Sequence, residues 1–500
     1  DTKHRGESDF AAMKLCRAYC LFNDTNALTP ETKNRIRRFF LTNDFFSFHG
    51  SENHALLGRT SRYLMAHAYP EDVFQAWKTR GADLIEKDGA WLDRYIRFRA
   101  ERGWGEFDSA CYFAPEWECM LNLHDFAPDG EIKRLAGTML NLLLADMVVD
   151  SLNGMYCGAH GRIYARHALD HAAAKTYPLY YLYFGGVDEK TVTRGTMVDA
   201  LTSDFRPHPL IEDIALDRPA AYENRERKHL HNPEDIMPRR PVQGSIRKYT
   251  YYTPRYILGC VQKQDPYPSS CRGGWYARHE QHEWDFTAAG GTRARVFTHH
   301  PGKRGNEHGY WTGDIHCCCG SFLQNRSALV ALYDIPESEP YGFIHAHVRK
   351  AVFDQVIEEN GFIFLRKGEV FAALKMLNGH QWAAEGEWKD IEVQSPGRRN
   401  GVVFEAGLRR DFGDFASFRK EVAANRIDFD REKPDLTYSS GRAGTLRLTA
   451  DGTRELDGAP ADLDYDTYDC PYLRSAWKSG LIEVQKGDEK LTLDFRREQK

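Results

Sequence analysis

Apolar residues change their spacing once along this chain, and that change sets the fold class. Before about residue 202 they recur every three or four positions in stretches broken by Pro, Gly or Asp, which is the spacing of amphipathic helices. Helices are expected over 9–22, 30–42, 53–68, 71–88, 91–102, 109–124, 129–152, 163–184 and 189–201. Thr29 followed by Pro30 supplies an N-cap with proline in the first helical position. In 129–152, the residues Ile132, Leu135, Ala136, Met139, Leu140, Leu143, Leu144 and Met147 make one wide buried stripe. Successive helices with short joins suit hairpins set around a cleft. Between 204 and 247 prolines and charges accumulate, and this stretch is expected to run over the surface as a connector. Beyond it, short β-branched and aromatic runs read as strands at 256–262, 293–298, 328–333, 342–348, 361–365, 370–376, 401–406, 445–450 and 491–495. The expected class is α+β and multidomain: an incomplete (α/α) toroid over 1–203, a connecting segment over 204–247 and an antiparallel β-sandwich over 248–500.

Composition removes several functions. The longest apolar stretch, 139–149, contains Asp146 and is too short to span a bilayer, so no membrane partner is expected. The formal charge is −5 with both signs interspersed, which argues against a nucleic-acid partner bound by phosphate neutralisation. No G-x-S-x-G elbow, P-loop or G-x-G-x-x-G before a helix occurs, so serine hydrolases, NTPases and dinucleotide enzymes lack their usual support. The eleven cysteines are an odd number, so at least one thiol is free; most are expected as small buried apolar groups, with room for one or two disulfides. Aromatic residues reach 13% and histidines number 20, which suits carbohydrate rings with their apolar faces and hydroxyl edges, or simply a well-packed large chain.

Three clusters in the helical half carry chemistry. Ser51-Glu52-Asn53-His54 opens a helix, where an amide and an imidazole at a positive helix end can hold a carboxylate; the plain alternative is capping. Trp104-Gly105-Glu106-Phe107-Asp108-Ser109 places two carboxylates in a loop, with the phenol of Tyr112 just beyond. In Gly158-Ala159-His160-Gly161-Arg162-Ile163-Tyr164, flanking glycines let the backbone approach a ligand, and Arg162 can grip a carboxylate with two parallel bonds while His160 and Tyr164 stand beside it. A turn shaped only by its glycines is the competing reading.

The strand half holds an imidazole-rich stretch, with Trp275, His279, His282, Trp284 and Asp285 followed by His299, His300, His308, Asp314 and His316. His282, His299 and Asp314 are candidate ligands for zinc or another divalent cation, and substrate-edge histidines are the alternative. No organic cofactor is expected. Trp104, Trp275, Trp284 and Tyr252 are the aromatic candidates for stacking on sugar.

A helical toroid followed by a β-sandwich, with Asn53-His54 at a helix start and Tyr112 after a Glu/Asp loop, resembles the heparinase II/III-like polysaccharide lyases and their oligoalginate-lyase relatives. The resemblance implies β-elimination at a uronic acid: Asn53 neutralises the carboxylate, His54 neutralises or acts as base, and Tyr112 is base and acid. It also implies a histidine from the sandwich, for which His279 or His282 stands ready, and a zinc ion in the same region. The implied partner is an acidic polysaccharide or oligosaccharide, and a homo-oligomer is compatible. The implied location is secreted or periplasmic, with any signal peptide outside this chain.

Glu52 and Glu106 depart from that pattern, since they would repel a substrate carboxylate unless protonated or paired with Arg59, Arg62 or Arg162. They feed a rival: an (α/α)-toroid glycoside hydrolase using Glu106 and Asp108 as acid and base. A non-catalytic carbohydrate-binding protein with the same aromatic platforms is the third reading.

Overall fold

A computed structural model describes residues 8–46, 51–192, 197–229, 244–264, 282–302, 309–312 and 319–497. The chain is α+β, with helices gathered in the N-terminal half and large antiparallel sheets in the C-terminal half. Helices Ser8–Phe22, Pro30–Thr42, Glu52–Ala68, Gly81–Arg102, Phe113–Phe126 and Gly130–Val149 form the helical layer. Local chemistry sets their starts: the Thr29 side chain accepts from the Thr32 N–H, and that of Asp129 accepts from Glu131 and Ile132. Among the described residues, no helix is long and apolar enough to cross a membrane.

Two expected helix boundaries move for identifiable reasons. One helix, Gly81–Arg102, runs through the break expected after Asp88, because Asp88 is buried and binds Arg59 and Arg62. The expected 163–184 helix is instead interrupted, with Ala165–Leu169 and Thr176–Phe184 separated by a short turn that Asp170 starts by accepting from the Ala172 N–H.

Over its described residues, 204–229 and 244–247, the stretch expected as a surface connector is built into the fold. It contains the helix Pro209–Leu216 and the strand Tyr222–His229, which lies inside a 12-stranded sheet between Ser245–Tyr252 and Tyr468–Asp469. The alternation along Tyr222–His229 buries Asn224, Glu226 and Lys228, so a strand that reads as solvated turns a polar face inward.

One part of that sheet packs on the helices, with Tyr222, Tyr252, Leu473, Ile482, Val484 and Leu493 sharing a core with Leu140, Leu144 and Trp91. Its other part faces a 6-stranded sheet across a second core built from Trp284, Phe286, Val296, Leu365, Val402 and Phe404. A 5-stranded sheet covers the outer face of the 6-stranded one through Leu436, Tyr438 and Leu446. The described cysteines are all free thiols, most of them buried.

Candidate active site

The three polar clusters of the helical half come together. Glu52 opens the Glu52–Ala68 helix and is buried; its Oε1 accepts from the Tyr95 hydroxyl at 2.5 Å and pairs with Arg99, and its Oε2 accepts the Glu106 N–H at 2.8 Å. The Glu106 carboxylate in turn accepts from the Asn53 side-chain amide at 2.9 and 2.7 Å and from the Asn53 N–H at 3.3 Å. Arg162 Nη1 stands 3.9 Å from Glu106, and Arg162 Nη2 donates to the Tyr112 hydroxyl at 3.2 Å. The Tyr112 and Tyr164 hydroxyls are 2.5 Å apart. On the other side of Asn53, His54 Nδ1 is bound to the Asp9 carboxylate at 2.5 Å. Asn53 and Glu106 are buried, whereas His54, Tyr112, Arg162 and Tyr164 are partly exposed. The result is a buried amide–carboxylate pair behind a face of imidazole, guanidinium and two phenols.

Backbone contacts hold the two loops in register. Ser109 Oγ accepts the Tyr112 N–H at 2.9 Å and donates to the Arg162 carbonyl. The Gly161 N–H donates to the Phe107 carbonyl at 2.7 Å, and a Cβ on Gly161 would meet that oxygen at 2.8 Å. Glycine is therefore required at 161 by close approach. His160 pairs with His282 through both backbone groups at 2.9 and 2.8 Å, and its Nδ1–H donates to the Asp108 carbonyl at 2.7 Å.

Burial pushes Glu106 above the ordinary carboxylate range, with Glu52 adding to the shift and Arg162 and the Asn53 amide opposing it. It pushes the Tyr112 phenol far above its usual range against the pull of Arg162, so the resting hydroxyl keeps its proton. Burial also lowers His160 to about 3, with His282 and Arg295 contributing, so this imidazole is neutral.

Asp108 has a different role from the one expected of it. Its carboxylate is clamped by Lys228, at 2.8 Å, and by Lys248. Lys228 also holds Asp146 at 2.6 Å, Lys248 holds Asp150, and Glu226 lies 3.2 Å from Lys228. Burial alone would raise Asp108, but the two ammonium groups keep it well below the ordinary range. Asp108 adopts φ of 49°, a left-handed conformation that its side-chain contacts stabilise. It anchors the loop to the sheet and does not face the Arg162–Tyr112 side.

Three proposed sugar platforms are core residues. Trp104 packs edge-on to Tyr95, Trp284 is fully buried and donates to Thr298 Oγ1 at 2.8 Å, and Tyr252 stacks on Tyr222 at 4.7 Å. None presents a face to a ligand. Trp275, His279 and Asp314, together with His308 and His316, lie outside the described residues.

The metal candidates are only partly met. His282 Nδ1 and His299 Nε2 are 3.1 Å apart and His282 Nε2 is 2.9 Å from Asp285, distances that hydrogen bonds satisfy. Among the described residues no group of three ligand atoms converges around His282 or His299, and Asp314, the third candidate ligand, lies outside them.

Sequence reasoning missed Tyr95, Arg99, Glu116, Lys228 and Lys248. Tyr95 and Arg99 stand one helical turn apart on Gly81–Arg102, and Glu116 stands one turn beyond Tyr112; those spacings were the available signal.

Fold and site together define an α+β chain with a buried carboxylate network behind an arginine–tyrosine face. No family model matches the chain, and no curated protein matches it.

Proposed function

We propose that this chain is a polysaccharide lyase that cleaves a uronate-containing glycan by β-elimination, its helical layer forming an open toroid whose cleft takes the substrate. The observation that carries the reading is the Arg162–Tyr112–Tyr164 group beside Asn53 and His54. Arg162 is a partly exposed cation on that face, and a planar guanidinium grips a carboxylate by two hydrogen bonds. Holding the substrate carboxylate there acidifies the neighbouring C5–H.

Roles follow from the contacts. Asn53 gives its amide to Glu106, so neutralisation passes from Asn53 to Arg162, and Asn53 shields Glu106 from the incoming anion. His54, oriented by Asp9, takes the C5 proton, as a carboxylate-braced imidazole commonly does. The released electron pair forms the C4–C5 double bond, the C4–O bond breaks, and the Tyr112 phenol protonates the departing oxygen. Tyr164 and Arg162 then support the phenolate at hydrogen-bond range. No step uses a metal.

A paired-carboxylate hydrolase draws less support because Asp108 is tied to two lysines. A passive binding protein draws less because Trp104 and Trp284 lie in the core. The test is ultraviolet absorbance recorded with a reducing-end assay on a panel of uronate polysaccharides. Rising absorbance with new ends supports the lyase; new ends without absorbance would overturn it in favour of hydrolysis. Binding without either would leave the third reading.

A further inference from the structure

A third carboxylate stands behind the site. Glu116, on Phe113–Phe126, is buried, and its carboxylate lies within 4.8 Å of those of Glu52 and Glu106. The three are not equally served. Glu52 has Arg99, the Tyr95 hydroxyl and the Glu106 N–H; Glu106 has the Asn53 amide on both oxygens and Arg162 beyond. Glu116 Oε1 is buried with no hydrogen-bond partner, and among the described residues no lysine, arginine or histidine forms an ion pair with Glu116. A cation bridging the three would have to displace donors from both oxygens of Glu52 and of Glu106. A proton on Glu116 removes the third negative charge without displacing anything.

We propose that Glu116 is a neutral carboxylic acid at neutral pH and a positioning residue that limits the negative charge packed beside Glu106, the carboxylate that Arg162 faces at 3.9 Å. Burial drives Glu116 well above the ordinary carboxylate range, with Glu52, Glu106 and Asp108 adding to the shift and Arg99 opposing it. The consequence for function rests on the lyase reading: ionised Glu116 would add a negative charge to the cluster around Glu106, behind the site, and weaken the hold on a substrate carboxylate. Uronate binding should therefore fade in alkali as Glu116 loses its proton.

The first test needs no turnover. Infrared spectra of the full chain at pH 7 are compared for wild type, Glu116→Gln and Glu106→Gln, the amide standing in for the neutral acid. Loss of one protonated-carboxyl C=O component in Glu116→Gln, with that component kept in Glu106→Gln, is expected. A protonated-carboxyl band unchanged in Glu116→Gln, or reduced only in Glu106→Gln, overturns the proposal. Thermal melting gives a second measurement: the melting temperature of Glu116→Gln minus that of wild type should rise from pH 5 to pH 8, because only wild type must retain a proton on folding. A difference independent of pH overturns it. On a uronate oligosaccharide, wild type should lose apparent affinity in alkali about tenfold more than Glu116→Gln. Absence of turnover in both proteins would sink the lyase reading while the spectra and melting still decide the state of Glu116.

Discussion

The hydroxyl of Tyr112 lies 2.5 Å from that of Tyr164, and Arg162 donates to the former at 3.2 Å. The same guanidinium nitrogen also donates to the Tyr164 hydroxyl at 3.5 Å, so one cation faces both phenols and lies nearer to Tyr112. Tyr112→Phe is expected to lower kcat by about 10²–10⁴, the usual range for a positioned proton donor. Tyr164→Phe should cost far less, because Arg162 still reaches Tyr112. Absorbance-based rates on both variants check this; equal losses would remove Tyr112 from its special place.

Lys248 binds Asp108 and Asp150 in a buried setting. Lys248→Met leaves both carboxylates without that partner, and breaking such an arrangement costs about 3–5 kcal/mol. The urea midpoint should fall accordingly, and activity should fall with it because Asp108 anchors the Glu106 loop. A midpoint unchanged from wild type would show that the network carries no stability.

The neutral His160 gives a pH signature. In the unfolded chain an imidazole takes its proton at about 6.5, but in the fold His160 takes one only at about 3. Between these values the unfolded state binds more protons, so the His160 contribution is present above the upper value and is lost as pH falls. Its slope is about 1.4 kcal/mol per pH unit. The stability of His160→Gln minus that of wild type should therefore rise as pH falls from 7 to 4, as read by denaturant unfolding across that range. A difference that is flat or that falls in acid contradicts the assignment.

Gly161→Ala probes the closest backbone contact in the site. The added methyl would sit 2.8 Å from the Phe107 oxygen and 2.9 Å from its nitrogen, so the Glu106–Ser109 loop has to shift. Overpacking of this kind costs about 1–3 kcal/mol. Activity should drop more than stability, since Glu106 and the Ser109 bond to the Arg162 carbonyl move with the loop. Parallel melting and rate measurements separate the two effects.

The parts of this arrangement differ in how far they could be read from residues alone. Asn53, His54, Glu106, Tyr112, Arg162 and Tyr164 were legible because polar groups crowd helix starts and glycine turns, where packing alone does not call for them. Asp108 was legible as a candidate but not in its contacts, since its partners come from strands more than a hundred residues later. The first of those strands misled for a physical reason: the prolines and charges of 204–247 read as a surface connector, yet Asn224, Glu226 and Lys228 form a buried face. Trp104 and Trp284 show the reverse error, because composition does not distinguish a sugar platform from a core side chain. The change from helices to strands was visible in periodicity, but the break at Asp170 needed a single side-chain bond that periodicity does not encode.

The last strands of the chain close the first helices. Tyr468 donates to Asp146 at 3.1 Å, Thr467 to the Glu101 carbonyl at 2.9 Å and Arg134 to the Asp494 carbonyl at 3.0 Å, while Arg97 binds the Phe495 carbonyl. During synthesis the helical half thus leaves the ribosome with one flank unsealed, and it stays so until residues 467–495 have been made. Nascent chains arrested before residue 467 should be cut by protease within the helical layer, whereas released full-length chains should resist. The geometry of the candidate site would then depend on strands synthesised some hundreds of residues after the helices that carry it.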